Sequence, residues 1–381
     1  MIYLDNNATT RIAPEVLEAM MPFLTESFGN PSSAHLAGIE PRKLVDEARE
    51  NVAGLLGASS PNEIVFTSCG TEGDNWAILG SLALQPEKKH VITTRVEHEA
   101  VRKLCEKLEP QGHEVTWLDV DEQGSLDIDE LRNALRPDTA LVSVMMANNE
   151  TGILFPVAKI AEIVKEHSDA FFHVDGVNAA GKIPISLRST QIDLFSISGH
   201  KFHGPKGIGA LYLRDSLKLE PFLIGGGQEN ARRAGTEAVH QIAGIGAAAR
   251  FAADMSVMQR IRKMRDRLEQ TIISEIPETS LNGTADPSRR LPNTSSISFK
   301  NTNGEAILAR LNDRGICVST GSACNAENHT ASAVLQAMDI PYSKAMGSIR
   351  FSLGRYNTEH EIDVVISTVE KAMRQLAGLG A

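Results

Sequence analysis

From about residue 60 to 215, short apolar, β-branched runs alternate with segments of helical period, and no other feature limits the fold as much. The strand-like runs cover 63–68, 90–94, 115–120, 140–147, 170–175, 193–198 and 209–213. Helical stretches at 71–84, 99–108, 127–135 and 157–167 lie between several of them. Successive strands joined by helices pair in parallel through crossover connections, so a mostly parallel, doubly wound sheet covered on both faces is expected.

Ahead of this region, Leu44, Ala48, Val52 and Leu55 recur at helical spacing and Gly57 is a natural stop. Beyond residue 237 a long helical region runs to about 276, followed by a polar, proline-containing loop at 282–292. Strand-like pieces at 295–299, 316–320 and 349–353 then alternate with helical pieces at 304–314 and 331–338, and a last helix starts at 358. The length of 381 residues suits two domains. The expected division is a large domain over 1–250, its N-terminal segment packing on the other unit, and a smaller α/β domain over 251–381.

The 38 Lys and Arg against 48 Asp and Glu leave a formal charge of −10, a poor match to nucleic acid or an anionic membrane. No run approaches the roughly 20 apolar residues of a membrane helix. The N-terminus Met1-Ile2-Tyr3-Leu4-Asp5 lacks the basic-then-apolar design of a signal peptide, so a soluble, cytoplasmic protein is expected. Four scattered cysteines, Cys69, Cys105, Cys317 and Cys324, make no disulfide framework, and without a Cys-x-x-Cys pair no metal site is expected.

Several residues sit where chemistry is done in such sheets, at or just past strand ends. Lys201, in Ser198-Gly199-His200-Lys201, follows an apolar strand; a desolvated lysine there can lose its proton and bond a carbonyl carbon, whereas a surface lysine would only snorkel. Asp175 ends the run Phe171-Phe172-His173-Val174-Asp175, where it either caps the next turn or pairs with the ring nitrogen of a pyridoxal cofactor. Gly70 and Thr71 open a helix after a strand and can hold a phosphate on free N–H groups, with Ser198 and His200 completing the cup; the alternative is ordinary capping by Ser68 or Thr71. His98 and Asn149 follow two further strands, and Arg350, a charge inside a strand-like run, suits a carboxylate-bearing substrate. Cys317 reads as a core thiol, while Cys324 lies in the small, polar stretch Gly321-Ser322-Ala323-Cys324-Asn325-Ala326. Gly199–Gly204 is no P-loop, because Pro205 stands where lysine is needed, and Gly244-x-Gly246 lies within a helical pattern.

Taken together, these residues resemble the pyridoxal-phosphate-dependent cysteine desulfurases of the nitrogen-fixation and iron–sulfur-cluster type, within the class-V aminotransferases. The match runs from Tyr3-Leu4-Asp5-Asn6-Asn7-Ala8-Thr9-Thr10 through Gly29-Asn30-Pro31-Ser32-Ser33 and Arg232-Arg233-Ala234-Gly235-Thr236 to 348–355, nearly the whole chain. The nitrogen-fixation branch is nearest on 67–72, 147–152 and 337–342. The resemblance implies a fold-type I pyridoxal-phosphate enzyme in which Lys201 holds the cofactor and moves the substrate α-proton, Asp175 pairs with the ring nitrogen, and His98 stacks on the ring as acid and base. It further implies that Gly70, Thr71, Ser198 and His200 bind the phosphate, with Thr236 supplied across a homodimer. Asn149 and Arg350 would hold cofactor and substrate carboxylate, and Cys324 would be the nucleophile that takes sulfur from L-cysteine and passes it to an iron–sulfur scaffold or other acceptor.

Two departures stand out. The family has glutamine where this chain has Asn178, one methylene shorter, as the partner of the cofactor's ring oxygen. After Cys324, His329-Thr330-Ala331-Ser332 replaces the family's Leu-Glu-Pro-Ser stretch. The alternatives are a selenocysteine lyase or aminotransferase of the same fold, in which Cys324 is incidental, and a catalytically silent binding partner that keeps the fold as a docking surface.

Overall fold

The computed structural model describes residues 1–320 and 331–378. Among the described residues, thirteen strands fall into three sheets. After β1 (Ile2–Tyr3) come β2 (Ile64–Thr67), β3 (His90–Thr94), β4 (Glu114–Leu118), β5 (Thr139–Ser143), β6 (Phe171–Asp175), β7 (Leu194–Ser198) and β8 (Gly209–Leu213). β9 (Thr279–Leu281), β10 (Thr294–Phe299), β11 (Ile316–Cys317), β12 (Ser319–Thr320) and β13 (Ser348–Ser352) follow.

β2 to β8 form one sheet in the order β2-β8-β7-β6-β5-β3-β4. Each neighbouring pair from β7 across to β4 is parallel, and β8 alone runs against both its neighbours. Two antiparallel steps restore direction, so β2 points the same way as β7 and its C-terminal end reaches the same edge. Successive residues turn to opposite faces. Ile92, Val142, Phe172 and Val174 enter a core with Val52, Ile160 and Ile245, whereas Val91 and Leu141 enter another with Ile78, Val101 and Leu104. Burial on both faces is why these strands read as continuous apolar runs, and the expected α/β architecture is the one observed.

The differences from the sequence reading lie at ends and joins. The run at 140–147 leaves the ladder after Ser143, although the Val144 and Met146 N–H groups still donate to His173 and Asp175 carbonyls at 3.2 and 2.8 Å. The helical region beyond 237 is two helices, Val239–Ala252 and Val257–Glu275. The run at 316–320 divides between two sheets: β11 pairs with β1, and β12 joins the antiparallel sheet β12-β13-β10-β9. β1 and β9 were not anticipated, because two or three residues carry no period. Leu4 lies in the core of this second sheet, and Asp5 bridges to Ser352. Cys317 is only half-buried rather than a core thiol, being in a two-strand sheet.

One buried ion pair anchors a surface segment beside the main sheet. Arg49, on the helix Ile39–Leu56, meets Glu229 in a two-pronged contact of 2.7 and 2.8 Å, and Glu229 also accepts from the Phe66 N–H at 2.9 Å. Glu229, Asn230 and Ala231 are all left-handed, with φ of 50, 57 and 62°, a run that L-residues adopt only when their surroundings impose it. Arg233, two residues on, pairs with Glu72 at 2.9 Å. Arg49→Met is therefore expected to cost about 3–5 kcal/mol by leaving Glu229 buried and unpaired. Urea unfolding checks this, and a loss below about 1 kcal/mol would mean that Glu229 escapes to water.

Candidate active site

Strand direction assembles the site, because parallel strands deliver their C-terminal ends to one edge. Asp175 ends β6, Ser198 ends β7, and the segments leaving β2, β3 and β5 carry Gly70 and Thr71, His98, and Asn149. With Asn178, His200 and Lys201 these residues line one cleft, whose empty space is about 670 Å³ with its open mouth included. That is the size of a small-molecule site.

At its floor, Asp175 is 5% exposed and accepts from the Val177 N–H at 2.9 Å. Burial, and then the neighbouring Asp74, raise its pKa to about 6, so it is mostly ionised at pH 7. Lys201 leaves β7 through the tight turn Gly199–Lys201 and donates to the carbonyls of Asn7 and Ala8 at 2.5 and 3.0 Å. Burial, and then Arg350, lower its pKa to about 8. About a tenth is thus unprotonated at pH 7, against well under a thousandth for an ordinary lysine. His98 caps the helix Glu99–Leu108: its Nδ1 accepts from the Ala100 N–H at 3.1 Å, which assigns the ring proton of the neutral form to Nε2.

At the other end of the cleft stands the helix Gly70–Leu84. Its N-cap, Cys69, makes no side-chain cap, which removes the ordinary-capping alternative and leaves first-turn N–H groups for an anion. Gly70 has no room for a side chain, since a Cβ there would come within 2.5 Å of Val177 Cγ2. Burial, then the charges of Lys201 and Lys206, lower the His200 pKa to about 4, so its ring is neutral near pH 7. Its Nδ1 lies 3.1 Å from Thr9 Oγ1.

Two residues singled out from the sequence do not line this cleft, and a third falls outside the described residues. Arg350 does not stand free: it donates to Asp5 Oδ1 at 2.7 Å and to the Asn149 carbonyl at 2.9 Å, because β13 lies beside the N-terminal segment. Thr236 is exposed on the surface segment anchored by Arg49 and Arg233. Cys324 lies outside the described residues.

The structure also adds residues that the sequence reading missed. Asp74, one turn into the helix Gly70–Leu84, lines the cleft and lies 3.4 Å from His173 Nε2; burial raises its pKa to about 7. His173 touches Ser143 and Ser196 hydroxyls at 2.9 and 3.0 Å. Glu97, buried beside them, accepts from Thr94 Oγ1 and the Met145 N–H, and burial raises its pKa to about 8. With Glu97 largely protonated and Asp74 about half so at pH 7, Asp175 carries the largest share of the negative charge among these three carboxyls. The usable signal was a polar residue interrupting an apolar pattern, as His173 does between Phe172 and Val174.

A helix N-terminus without a side-chain cap, an amine of lowered pKa and a buried carboxylate thus line one cleft. Comparison with known proteins gives this arrangement a family. The Aminotransferase class-V family matches residues 2–365. A cysteine desulfurase of Trichormus azollae is 54% identical over 381 residues, all of this chain and 94% of that protein. A solved structure described as a NIFS-like protein superposes with a TM-score of 0.92 at 39% identity, covering 98% of this chain and 100% of the other. Another, described as SspA in complex with cysteine, superposes with a TM-score of 0.82 at 36% identity, covering 94% and 100%. The chain belongs to the class-V aminotransferase family. Within that family it is an enzyme of the cysteine desulfurase branch. No helix among the described residues is long and apolar enough to cross a membrane.

Proposed function

We propose that the cleft holds pyridoxal 5'-phosphate and uses it to convert L-cysteine to L-alanine, with the sulfur left as a persulfide on Cys324. One observation carries this reading: Lys201, Asp175 and the uncapped helix N-terminus line the same cleft, groups that would suit the cofactor's carbonyl carbon, ring nitrogen and phosphate. The residues fit. Gly70, Thr71, Ser198 and His200 would hold the phosphate, Asp175 the ring nitrogen, Asn178 the ring oxygen, and His98 and Asn149 would flank the ring. When bound, the cofactor supplies an electron sink that acidifies the substrate's α-hydrogen and weakens its carbon–sulfur bond.

The chain's own groups do the rest. Asp175 keeps a proton on the ring nitrogen. The Lys201 amine takes the α-proton and returns it, a role suited to a pKa near the working pH. His98 exchanges a proton through Nε2. Arg350 turns from Asp5 to the substrate carboxylate, a charge-for-charge exchange. The Cys324 sulfur attacks the substrate sulfur; a sulfur–sulfur bond forms as the carbon–sulfur bond breaks, and the carbon skeleton takes up a proton and leaves as alanine. The relative described with cysteine bound supports this substrate.

The persulfide would pass to a sulfur-acceptor protein such as an iron–sulfur scaffold. A homodimer, with Thr236 supplied by the second copy, is supported by the exposed apolar side chains Leu36 and Ile39 on one segment and Ile224 on the other, flanking a cleft lined by Pro31, Arg42 and Gln228.

Adding pyridoxal phosphate to apo-protein tests the reading. A visible band should appear, alanine should form from L-cysteine, and borohydride should fix the cofactor on the Lys201 peptide. Only the unprotonated amine attacks, so the rate of band formation should rise about fivefold from pH 7 to 8 and less than twofold from pH 8 to 9. A tenfold rise per unit across both intervals would mean that the amine has an ordinary pKa; no band at all would overturn the reading.

A further inference from the structure

Lys182 takes no part in the chemistry above, yet it is 6% exposed, its amine has no carboxylate partner among the described residues, and it sits directly behind the cleft. Such burial is costly for an amine, so its contacts must matter. The segment after β6 makes a helical turn, with Ala180 and Ile183 N–H groups donating to Gly176 and Ala179 carbonyls, and this stacks Lys182 on Asn178. Its amine donates to Asn178 Oδ1 at 2.6 Å and to Asn7 Oδ1 at 3.1 Å.

These contacts fix which atoms Asn178 can offer the cleft. With Oδ1 taken, the amide presents its N–H side, which among the described residues makes one long 3.3 Å contact, to the Asn148 carbonyl. Asn7 ties the same unit to the reactive amine: its own carbonyl accepts from Lys201 at 2.5 Å, while its side-chain amide donates to Thr294 and to the Asn149 carbonyl. We propose that Lys182 is a positioning residue that locks the Asn178 amide as a hydrogen-bond donor toward the ionised ring oxygen of the bound cofactor. The inference rests on the assignment of Asn178 to that oxygen. A locked amide also gives up less conformational entropy when it binds than a free one does.

The titratable and charged groups around Lys182 are Lys201, Arg350, His200 and His203. Burial, then Lys201 and Arg350, hold its pKa well below the ordinary lysine range. The proposed role uses an N–H, which both protonation states carry.

The test uses protein reconstituted with pyridoxal phosphate in the absence of cysteine, reading the Kd for the cofactor and the pH midpoint of its visible band. A ring oxygen without its donor binds the proton it shares with the lysine nitrogen more tightly. Lys182→Met should therefore raise the midpoint by about one pH unit and weaken the cofactor about tenfold. Lys182→Gln, which keeps an N–H but no charge, should stay within about 0.3 pH unit of the parent. In an Asn178→Ala background, Lys182→Met should add no further shift. A full shift persisting in that background, or a full shift in Lys182→Gln, would overturn the proposal, since charge rather than the amide lock would then be acting. Should Lys182→Met not fold, Lys182→Ala, which likewise lacks an N–H, takes its place, and a midpoint unchanged in that variant would overturn the proposal. Absence of a visible band in the parent protein would instead overturn the cofactor assignment, and the inference with it.

Discussion

Lys201→Ala is expected to lower alanine formation from L-cysteine by about 10⁴-fold or more, the scale of a lost covalent anchor and proton carrier together. Among the described residues, Lys201 is the only lysine lining the cleft, and its pKa of about 8 leaves it able both to attack a carbonyl and to shuttle a proton at neutral pH. The other buried amine, Lys182, cannot replace it, because Asn7 and Asn178 already occupy its hydrogen bonds on the far side of the wall. The measurement is alanine release, with the mass of the borohydride-treated protein recorded alongside. The variant should carry no cofactor adduct while still binding free cofactor through the phosphate cup. Activity within tenfold of the parent would mean that some other base moves the proton.

Cys324→Ala should be equally inactive for a different reason, with persulfide and alanine both falling by at least about 10³-fold while cofactor capture is unchanged. The other three cysteines are poor substitutes. Cys105 is buried and its pKa is pushed up to about 12; Cys317 stands in a strand; Cys69, though at the cleft, adjoins Gly70 and Thr71, the residues proposed to hold the phosphate. With an unperturbed thiol pKa of about 8.5, only a few per cent of Cys324 would be thiolate at pH 7, so the site must remove its proton. Alanine release and labelling of protein-bound sulfane sulfur measure the effect together. Undiminished alanine formation in this variant would sink the role of Cys324 and favour a thiol-independent lyase of the same fold.

The two variants therefore separate two halves of the reaction. One loses the cofactor's covalent hold and keeps the thiol; the other keeps the coloured protein and loses the sulfur acceptor. Arg49→Met, by contrast, should act first on stability, through a pair that touches neither reacting group.

Much of this was legible without coordinates. Apolar runs of strand length separated by helical periods specify a parallel sheet, and a parallel sheet gathers its strand ends at one edge. Asp175, Ser198 and Lys201 could thus be assigned to a common site from position alone, as could the glycine-led helix start at Gly70. What escaped was contact between segments without a period of their own. The two residues of β1, the three of β9 and the split of β11 from β12 are set by partners far along the chain, and local propensity is silent about them.

The side-chain partners were equally hidden. Arg350 was legible as a charge within a strand but not as the partner of Asp5, which is 345 positions away. Asp74 and His173 were not singled out, and only the meeting of one helix face with one strand face brings them within 3.4 Å. The sequence by itself determined the sheet and the edge that gathers its strand ends, because periodicity and strand direction are local properties of a chain; the roles expected of Lys201, Asp175 and Cys324 came from the family resemblance. Only the tertiary structure decided which carboxylic acids keep their protons, where Lys201 rests and how Lys182 holds Asn178, because burial and hydrogen-bond partnership arise when distant segments exclude water from one another.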